Sequence, residues 1–293
     1  MSDSSPPTIE ALGQTLAAAL RADGVALAAS TLERFARDLR YSWLLRNRGP
    51  KRLARPKLDI LDLIEAAEQQ HQPDEVVWRV FLAAHFGRLS ATGVDAESAG
   101  LFLCGFVDSP RWTWEVVASD RGAALEAWLR ANPRISNALG FGNHRKHEDK
   151  KVDGLMEVIG SFIGLAGHCD GPSNIVVRRG VSPGFDQFDQ LFQRIQIHRF
   201  GRLGNWDFID VLAQLKLTTA VPKHCYLHGA TGPLKGATRL WGDHSEDVLN
   251  VRCARLVQRL PVSGFVLEDA LCNLQKDGDS CCGDPDPDGA CTA

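Results

Sequence analysis

The sequence predicts a mainly helical protein, built as one large domain or as two helical lobes sharing a cleft. Three observations carry this. Segment after segment spaces its apolar residues at three and four. The breaks between segments are rich in glycine and proline. No stretch shows a βαβ rhythm or repeats at a fixed period, which argues against doubly wound and solenoid folds. A chain of 293 residues, 44% hydrophobic and 24% charged, has ample material for such a core.

Taken in order, residues 1–8 read as a disordered lead-in and 9–276 as the helical domain. From Thr8 onward, Ile9, Leu12, Leu16, Ala19 and Leu20 mark a first helix, and a second periodic run covers Leu32 to Leu45. Arg46 to Lys57 then holds six cations between helix-breaking prolines and a glycine, so it reads as a loop, either solvated or contacting phosphate. Leu58–Ala67, Glu75–Leu89, Trp112–Ala118 and Ala123–Asn132 are amphipathic. A glycine-rich break at 140–147 precedes a helix from about Asp149 to Leu165. Residues 168–184 read as a loop with a short strand at Ile175–Val177. Phe185–Phe200 is amphipathic, and Asn205 is read as the cap of a helix over Trp206–Leu217. Residues 277–293, rich in Gly, Asp, Pro and Cys, read as a disordered tail.

Several function classes are disfavoured. No run of 18 apolar residues exists to span a bilayer, and MSDSSPPTIE lacks the basic and apolar regions of a secretory signal, so the expected location is cytoplasmic. Cys104, Cys169, Cys225 and Cys253 lie singly in apolar segments, as buried free thiols do. Cys272, Cys281, Cys282 and Cys291 are the remaining four, and the adjacency of two of them makes a shared cluster awkward. No metal or other cofactor is expected. The net charge of −3 neither demands nor excludes a nucleic-acid partner, because phosphate binding needs only a local basic face.

The informative stretch is Val221 to Trp241, VPKHCYLHGATGPLKGATRLW. It reads as a short helix ending near Leu227, a glycine-rich turn, and a second helix carrying Ala237, Leu240 and Trp241. Such a turn stacks backbone N–H groups at the positive end of a helix, which suits one phosphate and reads no base. Gly229, Thr231, Gly232, Lys235 and Gly236 are the candidate contacts; a Cβ at the glycines would obstruct the turn and the phosphate.

This stretch resembles the hairpin of the helix-hairpin-helix DNA glycosylase superfamily, Leu-Pro-Gly-Val-Gly-x-Lys-x-Ala. Leu227, Gly229, Lys235 and Ala237 align, with two extra residues in the loop. The superfamily continues with Val-Asp-Thr-His-Val-x-Arg-Val-x-x-Arg-Leu, and this chain has Leu249-Asn-Val-Arg-Cys-Ala-Arg-Leu-Val-Gln-Arg-Leu260, which adds Arg255 to the candidate DNA contacts. Ala84-His-Phe-Gly-Arg88, Gly140-Phe-Gly-Asn-His-Arg-Lys146, Gly232-Pro-Leu-Lys-Gly-Ala237 and Leu267-Glu-Asp-Ala-Leu-Cys272 look like the α-glutamyl/putrescinyl-thymine pyrophosphorylase branch, over about residues 30 to 275. The resemblance implies a two-lobed helical fold with an inter-lobe cleft, and double-stranded DNA carrying modified bases as partner.

It also exposes a departure. The superfamily's carboxylate stabilises the positive charge that builds on the sugar as an N-glycosidic bond breaks, and it can activate water. Asn250 stands at that position, and an amide does neither. Three readings follow. Asn250 orients water or the sugar while Asp247 or Asp243 supplies the charge. Alternatively Lys235, at the position of the superfamily's Schiff-base lysine, attacks the sugar or simply holds phosphate. The third reading has no glycosidic cleavage. Asn143, His144, Arg145 and Lys146 are the candidate wall of a modified-base pocket, with donors suited to phosphate or sugar hydroxyls. Trp206, Phe208 and Trp241 are either core residues or a platform for a flipped base. The leading expectation is a DNA glycosylase that excises a bulky modified pyrimidine, such as glucosylated hydroxymethylcytosine, from phage DNA as a defence. The alternatives are a transferase that displaces pyrophosphate from modified hydroxymethyluracil, and a non-catalytic DNA-binding module.

Overall fold

The computed structural model describes residues 7–47, 60–86, 111–139, 151–176 and 185–276. Every regular element among them is an α-helix. The chain divides into two compact units, one formed by residues 1–49 with 221–293 and the other by residues 50–220.

The first unit joins the two ends of the chain. It contains α1 (Ile9–Ala22), α2 (Ala29–Asn47) and three later helices described below. Thr8 caps α1 by accepting the Ala11 N–H at 3.1 Å. The helix closes on Gly24, at φ +76, with the Val25 N–H reaching back to the Leu20 carbonyl at 2.9 Å. Leu12, Leu16 and Leu20 then pack with Phe35 and Leu39 of α2 and with Leu249, Leu256, Leu267 and Leu271 from the far end of the sequence.

The second unit holds α3 (Ile60–Gln69), α4 (Pro73–Phe86), α5 (Trp114–Ser119), α6 (Ala123–Ala131), α7 (Pro133–Ala138), α8 (Val152–His168), α9 (Pro172–Val176), α10 (Phe185–Arg194) and α11 (Gly201–Gln214). Its centre is aromatic. Phe81 of α4 stacks on Phe162 of α8 with ring centroids 4.1 Å apart, and Trp78 donates its indole N–H to the Trp112 carbonyl at 3.0 Å. The buried Glu75 carboxylate takes the Arg79 guanidinium at 2.7 Å and the Trp114 N–H at 2.6 Å, so this charge is compensated on both oxygens.

Four local expectations are corrected. Ile175 and Val176 lie in α9, not in a strand: the helix starts at Pro172, and the Asp74 carboxylate accepts the Ser173 N–H of its first turn at 2.9 Å. The helix from Phe185 stops at Arg194, and the next carbonyl, Ile195, is taken by the Asn205 side-chain amide at 2.8 Å. Asn205 is therefore inside α11, which begins at Gly201, and does not cap it. Pro133–Ala138, not read as a helix, forms α7 with proline in the first turn.

Candidate functional site

The candidate hairpin lies in the first unit. No helix precedes its turn: residues 221–231 are irregular, which corrects the short helix expected to end near Leu227. Tyr226 has φ +48, a conformation that a bulky residue adopts at a cost of roughly 1–3 kcal/mol and only where neighbours impose it. The neighbours are visible. The Tyr226 N–H donates to His224 Nδ1 at 2.9 Å, and the two rings stack at 4.0 Å. A Cβ on Gly264 would lie 2.5 Å from the Pro222 carbonyl oxygen and 2.9 Å from that of His224, so the loop rests directly on backbone there. Gly229, at φ +73, makes the turn, and the Ala230 N–H closes it on the Leu227 carbonyl at 2.9 Å.

The turn feeds α12 (Gly232–Trp241), followed by α13 (Glu246–Arg259) and α14 (Gly264–Leu274). Ser245 and Ser263 cap the latter two. By contrast, Thr231 stands at the N-cap of α12 without a side-chain cap bond, and Pro233 brings no N–H to the first turn. Lys235 is exposed and makes no side-chain hydrogen bond or ion pair among the described residues. This arrangement can accept an anion. The exposure of Lys235 suits the phosphate contact that the sequence offered beside nucleophilic attack.

Gly232 and Gly236 have a reason that owes nothing to a ligand. A Cβ at Gly236 would lie 2.0 Å from the Leu271 carbonyl oxygen of α14, and one at Gly232 would lie 2.6 Å from Cys272 Sγ. These glycines let α12 and α14 cross backbone against side chain and backbone.

Asn250 is 7% exposed, and its Oδ1 accepts the N–H of the fully buried Leu227 at 3.0 Å. Asn250, which the resemblance sets at a carboxylate position, thus holds the loop to α13. One turn earlier, Asp247 is 86% exposed and meets His228 Nε2 at 2.9 Å, while Glu246 meets His228 Nδ1 at 2.6 Å. His228, Leu227 and α13 are so joined through residues 246, 247 and 250. Sequence reasoning passed over His228; its place just before the turn glycine, one helix away from two acids, was the signal. Asp243 is exposed between α12 and α13.

Arg255 pairs with Asp23 Oδ1 at 3.4 Å, and Arg259 donates to the Ala19 carbonyl at 3.1 Å, so both arginines also tie α13 to the end of α1. Trp206, Phe208 and Trp241 are core residues at 4%, 0% and 5% exposure, the first of the two readings the sequence offered. Asn143, His144, Arg145 and Lys146 lie outside the described residues, as do Asn143's neighbours through 150, positions 48–57 of the cationic loop, and Cys281, Cys282 and Cys291.

No described helix is long and apolar enough to cross a membrane. Compared with known families, residues 30–282 match the one described as alpha-glutamyl/putrescinyl thymine pyrophosphorylase clade 3. No curated protein and no solved structure matches.

Proposed function

The chain belongs to the alpha-glutamyl/putrescinyl thymine pyrophosphorylase clade 3 family, and from that premise we propose that it is an enzyme acting on a modified pyrimidine in double-stranded DNA. In this reading it joins an amine or amino acid to a pyrophosphorylated hydroxymethyluracil. The amine nitrogen attacks the methylene carbon, and the carbon–oxygen bond to pyrophosphate breaks with its electron pair leaving on oxygen. The nitrogen then loses a proton to a base. Lys235, Thr231 and the start of α12 hold a DNA phosphate. Asn143, His144, Arg145 and Lys146 are assigned, on their chemistry alone, as donors to the pyrophosphate.

The observation that carries this reading is Asn250. Base excision builds positive charge on the sugar and draws its rate from a fixed anion beside it. Here that position holds an uncharged amide, buried, with its oxygen committed to Leu227. Displacement at the methylene carbon makes no sugar cation and needs no anion there.

A second reading is favoured by one specific observation. Asp247, held by His228, is an exposed carboxylate one turn before Asn250, and such a carboxylate can activate water. In that reading the enzyme is a glycosylase excising a bulky pyrimidine such as glucosylated hydroxymethylcytosine from phage DNA. The test uses two duplexes, one with pyrophosphorylated hydroxymethyluracil plus putrescine and one with glucosylated hydroxymethylcytosine, analysed by nucleoside mass spectrometry. An amine-bearing thymidine in the first supports displacement. Abasic sites in the second support excision instead. Binding with neither product supports a DNA-binding module.

A further inference from the structure

Within the first unit, α2 presents a polar stripe to α14 at a four-residue spacing. Arg34 donates to the Asn273 and Lys276 carbonyls at 3.3 and 2.6 Å, where α14 ends. Ser42 donates to Asp269 Oδ2 at 2.5 Å, and Arg46 lies 4.0 Å over the Phe265 ring. Asp38 sits between Arg34 and Ser42, 1% exposed, and among the described residues neither of its oxygens has a hydrogen-bond partner. An ionised carboxylate in that position forfeits its hydration without replacement.

The charges acting on Asp38 do not neutralise it. On its own helix Arg34 is attractive, with its Nη2 held by the carbonyls at the end of α14. From α14, Asp269 repels and Lys276 attracts. α1, also packed on α2, brings the apolar residues Leu12, Leu16 and Leu20. Burial outweighs the rest and pushes the Asp38 carboxyl up to about 6.

We propose that the α2–α14 seam is a proton-operated latch, closed when Asp38 is neutral and loosened when it ionises. Its consequence reaches the candidate site because α14 is the site's support. Gly236 of α12 lies against the Leu271 carbonyl, and Gly264 lies against the loop carbonyls of Pro222 and His224. Loosening α14 therefore frees the strained Tyr226 loop and the start of α12.

The sign follows from linkage. The folded carboxyl is raised above its ordinary 3.8 to about 6, so the folded state holds the proton more tightly. Stability is greatest below the ordinary value, falls as pH rises through this window, and levels off above 6. The test compares the wild-type chain with Asp38→Asn, a neutral isostere, by urea unfolding near pH 5 and near pH 8. Hydrogen exchange of the α14, Leu227 and Gly236 amides is read at each pH. The variant should be favoured in the folding equilibrium by on the order of a hundredfold near pH 8 and about tenfold near pH 5, with slower exchange at those amides near pH 8. An advantage that does not change with pH overturns the latch. So does one that leaves exchange at Leu227 and Gly236 as in the wild type.

Discussion

Replacing Asn250 with alanine removes the acceptor for one buried N–H. Leu227 is fully buried and its N–H is held at 3.0 Å, so no water replaces the lost partner. An unsatisfied buried donor costs about 1–3 kcal/mol. The loop has a second reason to leave, since Tyr226 at φ +48 stores roughly 1–3 kcal/mol that the Asn250 bond helps to oppose. For a chain of this size each kcal/mol lowers the melting temperature by about 2–4 °C, so the loss should be about 2–12 °C. Asn250→Asp keeps an oxygen in the same place, and a carboxylate accepts a backbone N–H well. It should melt closer to the wild type than Asn250→Ala does. Thermal melts of the three proteins in one buffer check this. An alanine variant as stable as the wild type refutes the clamp.

Other outcomes follow from the same contacts. Gly236→Ala should cost about 1–3 kcal/mol or more in urea unfolding, because its Cβ meets the Leu271 backbone 2.0 Å away. Gly232→Ala should cost less, since Cys272 Sγ can turn aside, and Cys272→Ala should rescue Gly232→Ala but not Gly236→Ala. Lys235→Ala should leave stability within about 0.5 kcal/mol, weaken DNA binding without sequence preference, and lower the slope of log affinity against log salt by about one. Borohydride should trap no protein–DNA adduct at Lys235. His228→Ala should change stability by less than about 1 kcal/mol in a melt, its carboxylate contacts being exposed. In the excision reading the same variant slows the formation of abasic sites, because Asp247 loses the partner that holds it.

Much of the helical layout was legible because apolar spacing and capping are local. Thr8 announces α1, and the period of Leu12, Leu16 and Leu20 states which face is buried. What escaped is set by residues far apart in sequence. Asn205 looks like a cap until the Ile195 carbonyl, ten residues back, claims its amide. Gly232 and Gly236 look like ligand glycines until α14 is laid against them. Residues 221–227 carry helical spacing, yet Gly264 and Asn250 hold their backbone in another shape. At the site, the sequence singled out Asn250 as a departure but not what its oxygen does, and it passed over His228. Asp38 on α2 gave no signal at all, since its burial depends on a helix more than two hundred residues away.

The most direct test of displacement at the base is a stoichiometry. Purified protein is incubated with duplex DNA carrying pyrophosphorylated hydroxymethyluracil and with labelled putrescine. Pyrophosphate, label in DNA and free base are measured in the same time course. One pyrophosphate should be released for each amine gained, with no free base. Free base released without pyrophosphate would contradict this and establish cleavage of the glycosidic bond.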